Sequence, residues 1–246
     1  MLLKIIASGS SGNAYILKTD TGTLLIECGV RFRDIQHGLN YDLSGVVGCL
    51  VTHFHQDHCK AAHDVTKAGI DIYTGAETIA ALSLTGHRVH AVTPKQQFSV
   101  GDFAVMPFPT EHDAEGSLGY LIQYRPTGYK LLFLTDSYYS KYRFPGLNAI
   151  MIECNYVKEI LDANIEAGRV DEIMKRRLLE SHFSLKHVKQ FLRANDLSGC
   201  NLIVLIHLSE GNSDAARMVR EIRELTGIDT VAAEPGLEVE LELYPY

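Results

Sequence analysis

The sequence predicts an α+β chain arranged as a four-layer αββα sandwich, with two sheets packed face to face and helices outside them. Three observations lead there. Short strand-like runs dominate the first 150 residues, each bounded by Gly, Asp, Asn or Pro of the kind that makes turns. From residue 149 onward, helix patterns alternate with apolar strands. No repeat, low-complexity tract or proline-rich linker interrupts the chain, so residues 1–246 read as a single domain.

The early strands are expected at residues 2–7, 13–18, 23–27, 48–52, 70–74, 103–109, 119–124 and 130–135. Thr19-Asp-Thr-Gly22 and Arg125-Pro-Thr-Gly128 have the composition of hairpin turns. Helix patterns fall between strands at residues 60–68 and 77–83. Further helices are expected at 158–163, 170–178, 185–194 and 214–226, interleaved with strands at 149–153 and 202–206.

Composition narrows the class. Hydrophobic residues make up 46% and charged residues 22%, the usage of an ordinary globular enzyme. A net charge of −7 argues against a generally basic nucleic-acid surface, although Arg31, Arg33, Lys60, Arg176 and Arg177 could form a local patch. The five cysteines lack Cys-x-x-Cys spacing and lie mostly in apolar runs, as reduced core thiols of a cytoplasmic protein do. Cys59 follows a metal-like motif but reads as a small packing residue. The opening residues hold no signal peptide and no stretch long enough to span a membrane, so a cytoplasmic location is expected.

The chemistry is concentrated in His-Phe-His-Gln-Asp-His at residues 53–58. Three imidazoles and one carboxylate follow the apolar run 48–52, and these are the ligand types that zinc, manganese and iron share. His53 and His55 have the spacing of two ligands leaving a strand end or tight loop, and Asp57 and His58 turn toward a second position. Three more candidates each end an apolar strand: His112 after 103–109, Asp136 after 130–135 and His207 after 202–206. Active sites of layered folds gather at one end of the strands, where loops are free to carry chemistry.

The ligand count suggests two cations. His53, His55 and His112 would make one site, Asp57, His58 and His207 the other, and Asp136 has two oxygens with which to bridge them. Two divalent ions about 3.5–4 Å apart hold a hydroxide nucleophile and clamp the attacking and leaving oxygens of an in-line displacement. That arrangement suits a phosphodiester. Zn²⁺ is the expected metal, with Mn²⁺ as the alternative.

In this order His53-x-His55-x-Asp57-His58, His112, Asp136 and His207 resemble the metallo-β-lactamase superfamily over nearly the whole chain. Ser8-Gly-Ser-Ser-Gly-Asn13, Glu153-Cys-Asn155, Ser181-His-Phe-Ser184 and Ile206-His-Leu-Ser209 further resemble its YycJ/WalJ branch, with tRNase Z more distant. The resemblance implies the sandwich fold and makes His182 the general acid that protonates the leaving oxygen, with Asp57 as the second catalytic group. It also implies supporting or substrate-facing roles for Glu27, Asn155, Ser184 and Ser209. His187, five residues beyond His182, reads as a solvated helix position. The chain departs from the branch at Glu27-Cys28-Gly29, where Asp-Ala-Gly is usual, and at Tyr156-Val157 and Ser181.

The leading expectation is therefore a metal-dependent nuclease acting on DNA or RNA. The alternative is a phosphodiesterase of cyclic nucleotides or other small phosphodiesters, which the acidic charge favours. A thioester hydrolase ranks below both. A di-iron oxygen or nitric-oxide reductase would need electrons from a flavin domain, and a β-lactamase would commonly place cysteine or serine where Asp136 stands. Nucleic acid or nucleotide is the expected partner, a membrane is not, and nothing in the sequence bars a homodimer.

Overall fold

The computed structural model describes residues 1–243. They group into two compact units. Met1–Pro109, Ala114–Tyr129 and the chain from Ala233 form the first, while Thr110–Asp113 and Lys130–Ala232 form the second.

The first unit begins with β1 (Leu2–Ala7), β2 (Ala14–Lys18) and β3 (Thr23–Ile26), an antiparallel run. The β2–β3 turn is the one expected at Thr19–Gly22, closed by the Thr19 N–H to the Gly22 carbonyl at 2.9 Å. After β3 the chain switches to parallel crossovers. β4 (Val46–Leu50), β5 (Ile72–Thr74) and β6 (Val89–Ala91) are joined through α1 (Phe32–Gly38), α2 (Gln56–Cys59), α3 (Ala62–Lys67) and α4 (Ala76–Ala81). With β14 (Glu238–Glu240) on the outer edge, the strand order is β14-β1-β2-β3-β4-β5-β6.

One face of this sheet carries Ile16, Leu25, Cys49 and Ile72, packed with Ile35, Cys59, Ala62 and Val65 from the helices. The other face meets an antiparallel meander of β7 (Phe98–Val100), β8 (Phe103–Pro109) and β9 (Leu118–Tyr124). The Tyr120 hydroxyl donates to the Val51 carbonyl at 2.7 Å, and Tyr73 stacks on Phe98. Close approach requires a glycine at 48, since a Cβ there would stand 2.7 Å from Val100 Cγ1.

In the second unit β10 (Tyr129–Leu134, all but its first residue here), β11 (Ala149–Glu153), β12 (Leu202–Ile206) and β13 (Asp229–Ala232) are all parallel. Unbroken apolar runs such as Leu-Ile-Val-Leu-Ile suit strands covered on both faces. Around them run α5 (Lys158–Glu166), α6 (Glu172–Ser181), α7 (Leu185–Ala194) and α8 (Ala215–Thr226). Asp171, Ser184 and Asp214 cap α6, α7 and α8 by accepting a backbone N–H three residues on. Gly227 ends α8 in the left-handed region at φ 70°.

The expected elements appear with small shifts. The helix expected at 60–68 is α3, and a separate short turn, α2, precedes it and takes in Asp57 and His58. The elements that periodicity did not mark are α1, α2, β6, β7, β13 and β14; four of the six are strands of three or four residues and α2 is a single turn, too short for a period to register. Among the described residues no helix is long and apolar enough to cross a membrane.

Candidate metal centre

In the first unit the chain leaves β4, passes through Val51-Thr52-His53-Phe54, and enters α2 with His55 as its N-cap. His53 and His58 are buried, with ring centroids 4.3 Å apart, and His55 lies edge-on to His53 at 4.7 Å. The Thr52 hydroxyl sits 2.8 Å from His53 Nδ1, which makes Nε2 the ligand-facing nitrogen. His58 Nε2 lies 3.4 Å from Asp57 Oδ2.

Two other segments grip this loop through its backbone. The Asn13 N–H and side-chain amide both donate to the Asp57 carbonyl, at 2.8 and 3.1 Å, and Asn13 Nδ2 is also 3.3 Å from His58 Nε2. Asn13 is itself held by the Gly9 N–H and the Tyr15 hydroxyl, both donating to its Oδ1. On the other side, Cys28 N–H donates to the His58 carbonyl, and Gly29 passes so close to Asp57 that a Cβ would stand 1.7 Å from its carbonyl oxygen. Only glycine fits there.

Glu27 supports the same loop. Its Oε2 accepts the Thr52 N–H at 3.3 Å and its Oε1 lies 3.4 Å from His58 Nδ1. Burial pushes this carboxyl up, with His58 and Thr52 opposing the rise. Cys59 is a packing thiol: Sγ donates toward the Phe54 and His55 carbonyls at 3.1 Å, and burial pushes it up to about 12. A thiol so firmly protonated is a poor metal ligand.

In the second unit the site residues arrive on neighbouring strand ends. Leu134 pairs with Ile152 and Glu153 with Ile206, so Asp136, Glu153 and His207 emerge at one edge of the parallel sheet. Asp136 Oδ2 faces His112 Nε2 at 3.5 Å, whereas Oδ1 faces His207 Nε2 at 3.7 Å. Each carboxylate oxygen thus addresses a different imidazole. The opposite ring nitrogens are tethered: His112 Nδ1 lies 3.1 Å from the Ser181 carbonyl, and His207 Nδ1 lies 3.2 Å from Glu153 Oε1. His112 Nε2 also stands 3.1 Å from the half-exposed Asp113, whose other oxygen accepts from Arg177.

Glu153 organises this unit. Oε2 accepts the backbone N–H groups of Ser137 and Phe183, both at 3.1 Å, and Oε1 bonds His182 Nδ1 at 2.6 Å. Burial would raise this carboxyl, but His182 and His207 outweigh it and hold it down. Burial would lower His182, and Glu153 outweighs it to raise His182 above the ordinary histidine value. The His182 ring stacks on His207 at 5.5 Å. One ligand atom from each of Asp136, Glu153, His182 and His207 falls within 4.8 Å of the others.

Asn155 donates to the His207 carbonyl at 3.0 Å and so holds the turn after β12. Ser184 caps α7, and Ser209 Oγ accepts from the Asn212 N–H at 3.3 Å, so both shape loops beside the cluster. Glu27, Asp136 and His207 have φ values of 63°, 46° and 53°. Left-handed backbone at non-glycine residues costs roughly 1–3 kcal/mol each and concentrates at functional sites. Of the basic residues that could form a patch, Arg31, Arg176 and Arg177 each pair with a carboxylate.

Sequence reasoning left Glu153 and Asn13 without a role. Both sat in stretches singled out by resemblance, and a carboxylate closing an all-apolar strand was the available signal for Glu153.

A family model described as "Beta-lactamase superfamily domain" matches residues 23–208. Exodeoxyribonuclease WalJ of Streptococcus pneumoniae is 26% identical over 258 residues, covering 98% of this chain and 92% of its own. Exodeoxyribonuclease YycJ of Bacillus anthracis is 29% identical over 248 residues, covering 91% and 89%. The crystal structure of the metallo-beta-lactamase fold protein YhfI from Bacillus subtilis superposes with a TM-score of 0.75 at 17% identity, over 97% of this chain and 99% of that one. That likeness shows the fold, an α+β sandwich of the kind the sequence predicts.

Proposed function

The chain belongs to the beta-lactamase superfamily, and from that premise we propose a dinuclear metal-dependent phosphodiesterase that acts on DNA as a nuclease. The observation that carries this reading is Asp136, whose two oxygens address two different histidines at 3.5 and 3.7 Å. These distances exceed a hydrogen bond, and they match the spacing of ligands that share a cation rather than a proton. Imidazole and carboxylate donors make up the set, and both Zn²⁺ and Mn²⁺ accept them.

On this reading His53, His55 and His112 hold one cation, Asp57, His58 and His207 hold the second, and Asp136 serves both. Bound there, the cations would supply Lewis-acid polarisation of the phosphate and a nucleophile at neutral pH. The remaining work belongs to the chain. Glu153 raises His182 above the ordinary histidine value, which favours its protonated form, and with Nδ1 tied to Glu153 it is Nε2 that delivers the proton to the leaving oxygen. Asp57, a quarter exposed, takes the proton shed by the attacking water. Glu153 and Asn155 fix the rings of His182 and His207, as Glu27 and Asn13 fix the loop that bears His58.

Two relatives named exodeoxyribonucleases, aligned over nearly the full chain, support DNA as the substrate. Small phosphodiesters are the second reading, favoured by the net charge of −7 and by the pairing of Arg31, Arg176 and Arg177 with carboxylates. The test is metal analysis of protein purified without chelator, followed by assays with Zn²⁺ and Mn²⁺. The substrates are 5′- and 3′-labelled DNA and RNA, cyclic nucleotides, thioesters and bis-p-nitrophenyl phosphate. Two metals per chain and cleavage of DNA are expected. A stoichiometry of one, or turnover of thioesters alone, would sink the proposal.

A further inference from the structure

Within the second unit, the chain running on from Asp136 and helix α7 enclose a cavity of about 100 Å³. The rings of Tyr139, Tyr142, Phe183 and Phe191 line it, together with His187 and Gln190. Phe183 directly follows His182, and Tyr139 comes three residues after Asp136, so the cavity grows from the same two segments that carry the chemistry.

His187 is not on a solvated face. Its side chain is half-buried and lines this space. Burial and the adjacent Lys186 push it below the ordinary histidine value. A neutral imidazole offers one donor and one acceptor, the same mixed edge that a nucleobase presents. At the mouth stand Lys141 and Arg143, both exposed, the first paired with Glu111 and the second donating to the Ala194 carbonyl.

We propose that this cavity seats one nucleobase of the strand being cut, with Lys141 and Arg143 meeting its backbone phosphate. The inference rests on the nuclease reading and gives it a subsite. Aromatic walls bind bases through their π-faces with little sequence demand. Size adds a preference. An apolar cavity of roughly 150 Å³ is filled by benzene, so about 100 Å³ admits no more than part of one ring, and the smaller pyrimidine is favoured over a purine.

The experiment uses the metal-loaded full chain with thymidine 5′-monophosphate as probe, read by NMR at the His187 ring, beside kinetics on labelled oligo-dT and bis-p-nitrophenyl phosphate. His187→Ala and Tyr139→Ala are the variants, and Tyr139 is exposed enough that its loss leaves the fold intact. Expected are a His187 shift on titration, binding weakened about tenfold in each variant, a matching rise in KM for oligo-dT, and unchanged hydrolysis of bis-p-nitrophenyl phosphate. Deoxyadenosine 5′-monophosphate should bind more weakly than the thymidine nucleotide. No shift at His187, or variants that bind the probe as the parent does, would overturn the subsite. If the parent cuts no DNA but the probe still seats and both variants weaken it, the subsite stands and the nuclease reading falls. If DNA is cut with unchanged KM by both variants, the reading stands and the subsite falls.

Discussion

In the first unit four candidate ligands lie within six residues, whereas in the second His112, Asp136, His182 and His207 come from segments up to 95 residues apart. The short loop needs its shape imposed from outside. Asn13, Cys28 and Gly29 grip its backbone, and Glu27 holds Thr52 and His58. In the dispersed set parallel strand register delivers Asp136 and His207 to one edge, Asn155 holds the turn after β12, and one carboxylate, Glu153, ties the rings of His182 and His207 together. A local motif is thus made precise by backbone contacts, and a distributed one by side-chain contacts to a shared hub. Substitutions should separate the two designs.

The largest effect is expected at Asp136, whose two oxygens face the Nε2 atoms of two histidines. Asp136→Ala should lower bound metal below two per chain and slow every phosphodiester by on the order of 10³ or more, since both charge stabilisation and ligation are lost. His53→Ala should be nearly as damaging to activity while circular dichroism stays unchanged. Metal analysis alongside turnover decides it. An Asp136→Ala protein with the parent's metal content and rate would remove the bridge from the proposal.

His182 should show a different signature. His182→Ala is expected to slow DNA cleavage by roughly 10²–10⁴, the scale of general acid–base catalysis. Bis-p-nitrophenyl phosphate should suffer far less, because nitrophenolate leaves without a proton. Metal content should hold. Equal losses on both substrates would point to phosphate positioning, and lost metal would make His182 a ligand, which its closeness to Asp136 and His207 also permits.

The two supporting carboxylates test the comparison directly. Glu153→Gln removes the charge that raises His182 and that faces His207 Nδ1. Glu27→Gln touches only the first unit's loop. Each should cost about 10- to 100-fold in metal affinity or activity, the usual price of an orienting partner. Only Glu153→Gln should hurt DNA more than bis-p-nitrophenyl phosphate. A leaving-group dependence in Glu27→Gln would mean that the two clusters are not organised separately.

What the sequence disclosed follows the same divide. Residues 53–58 are legible because imidazoles packed so densely have few other uses, and the strand-end rule extends that to His112, Asp136 and His207. The ordinary-length strands and the last four helices were legible from period and caps. Glu153 and Asn13 were not assigned, since a lone carboxylate or amide acquires its role only when register and turn geometry bring its partners to it. His187 was misjudged because α7 alone shows one apolar face, whereas the chain after Asp136 covers a second.

The smallest expected effect belongs to Cys59, which lies inside the histidine loop and has a soft ligand atom. Its thiol donates to two carbonyls of that loop and is packed among Cys28, Ala61 and Val65, with burial holding it protonated. Cys59→Ala should therefore leave metal stoichiometry intact and keep turnover close to the parent's on both substrates. Stability should fall by roughly 1 kcal/mol for the lost packing, seen as a drop of about 2–4 °C in Tm for a chain of this length. Metal analysis and thermal melts read the two quantities independently. If metal falls with Cys59→Ala while Tm of the apo protein holds, the loop contributes a sulfur ligand, and the first unit's donor set is larger than its histidines and carboxylate.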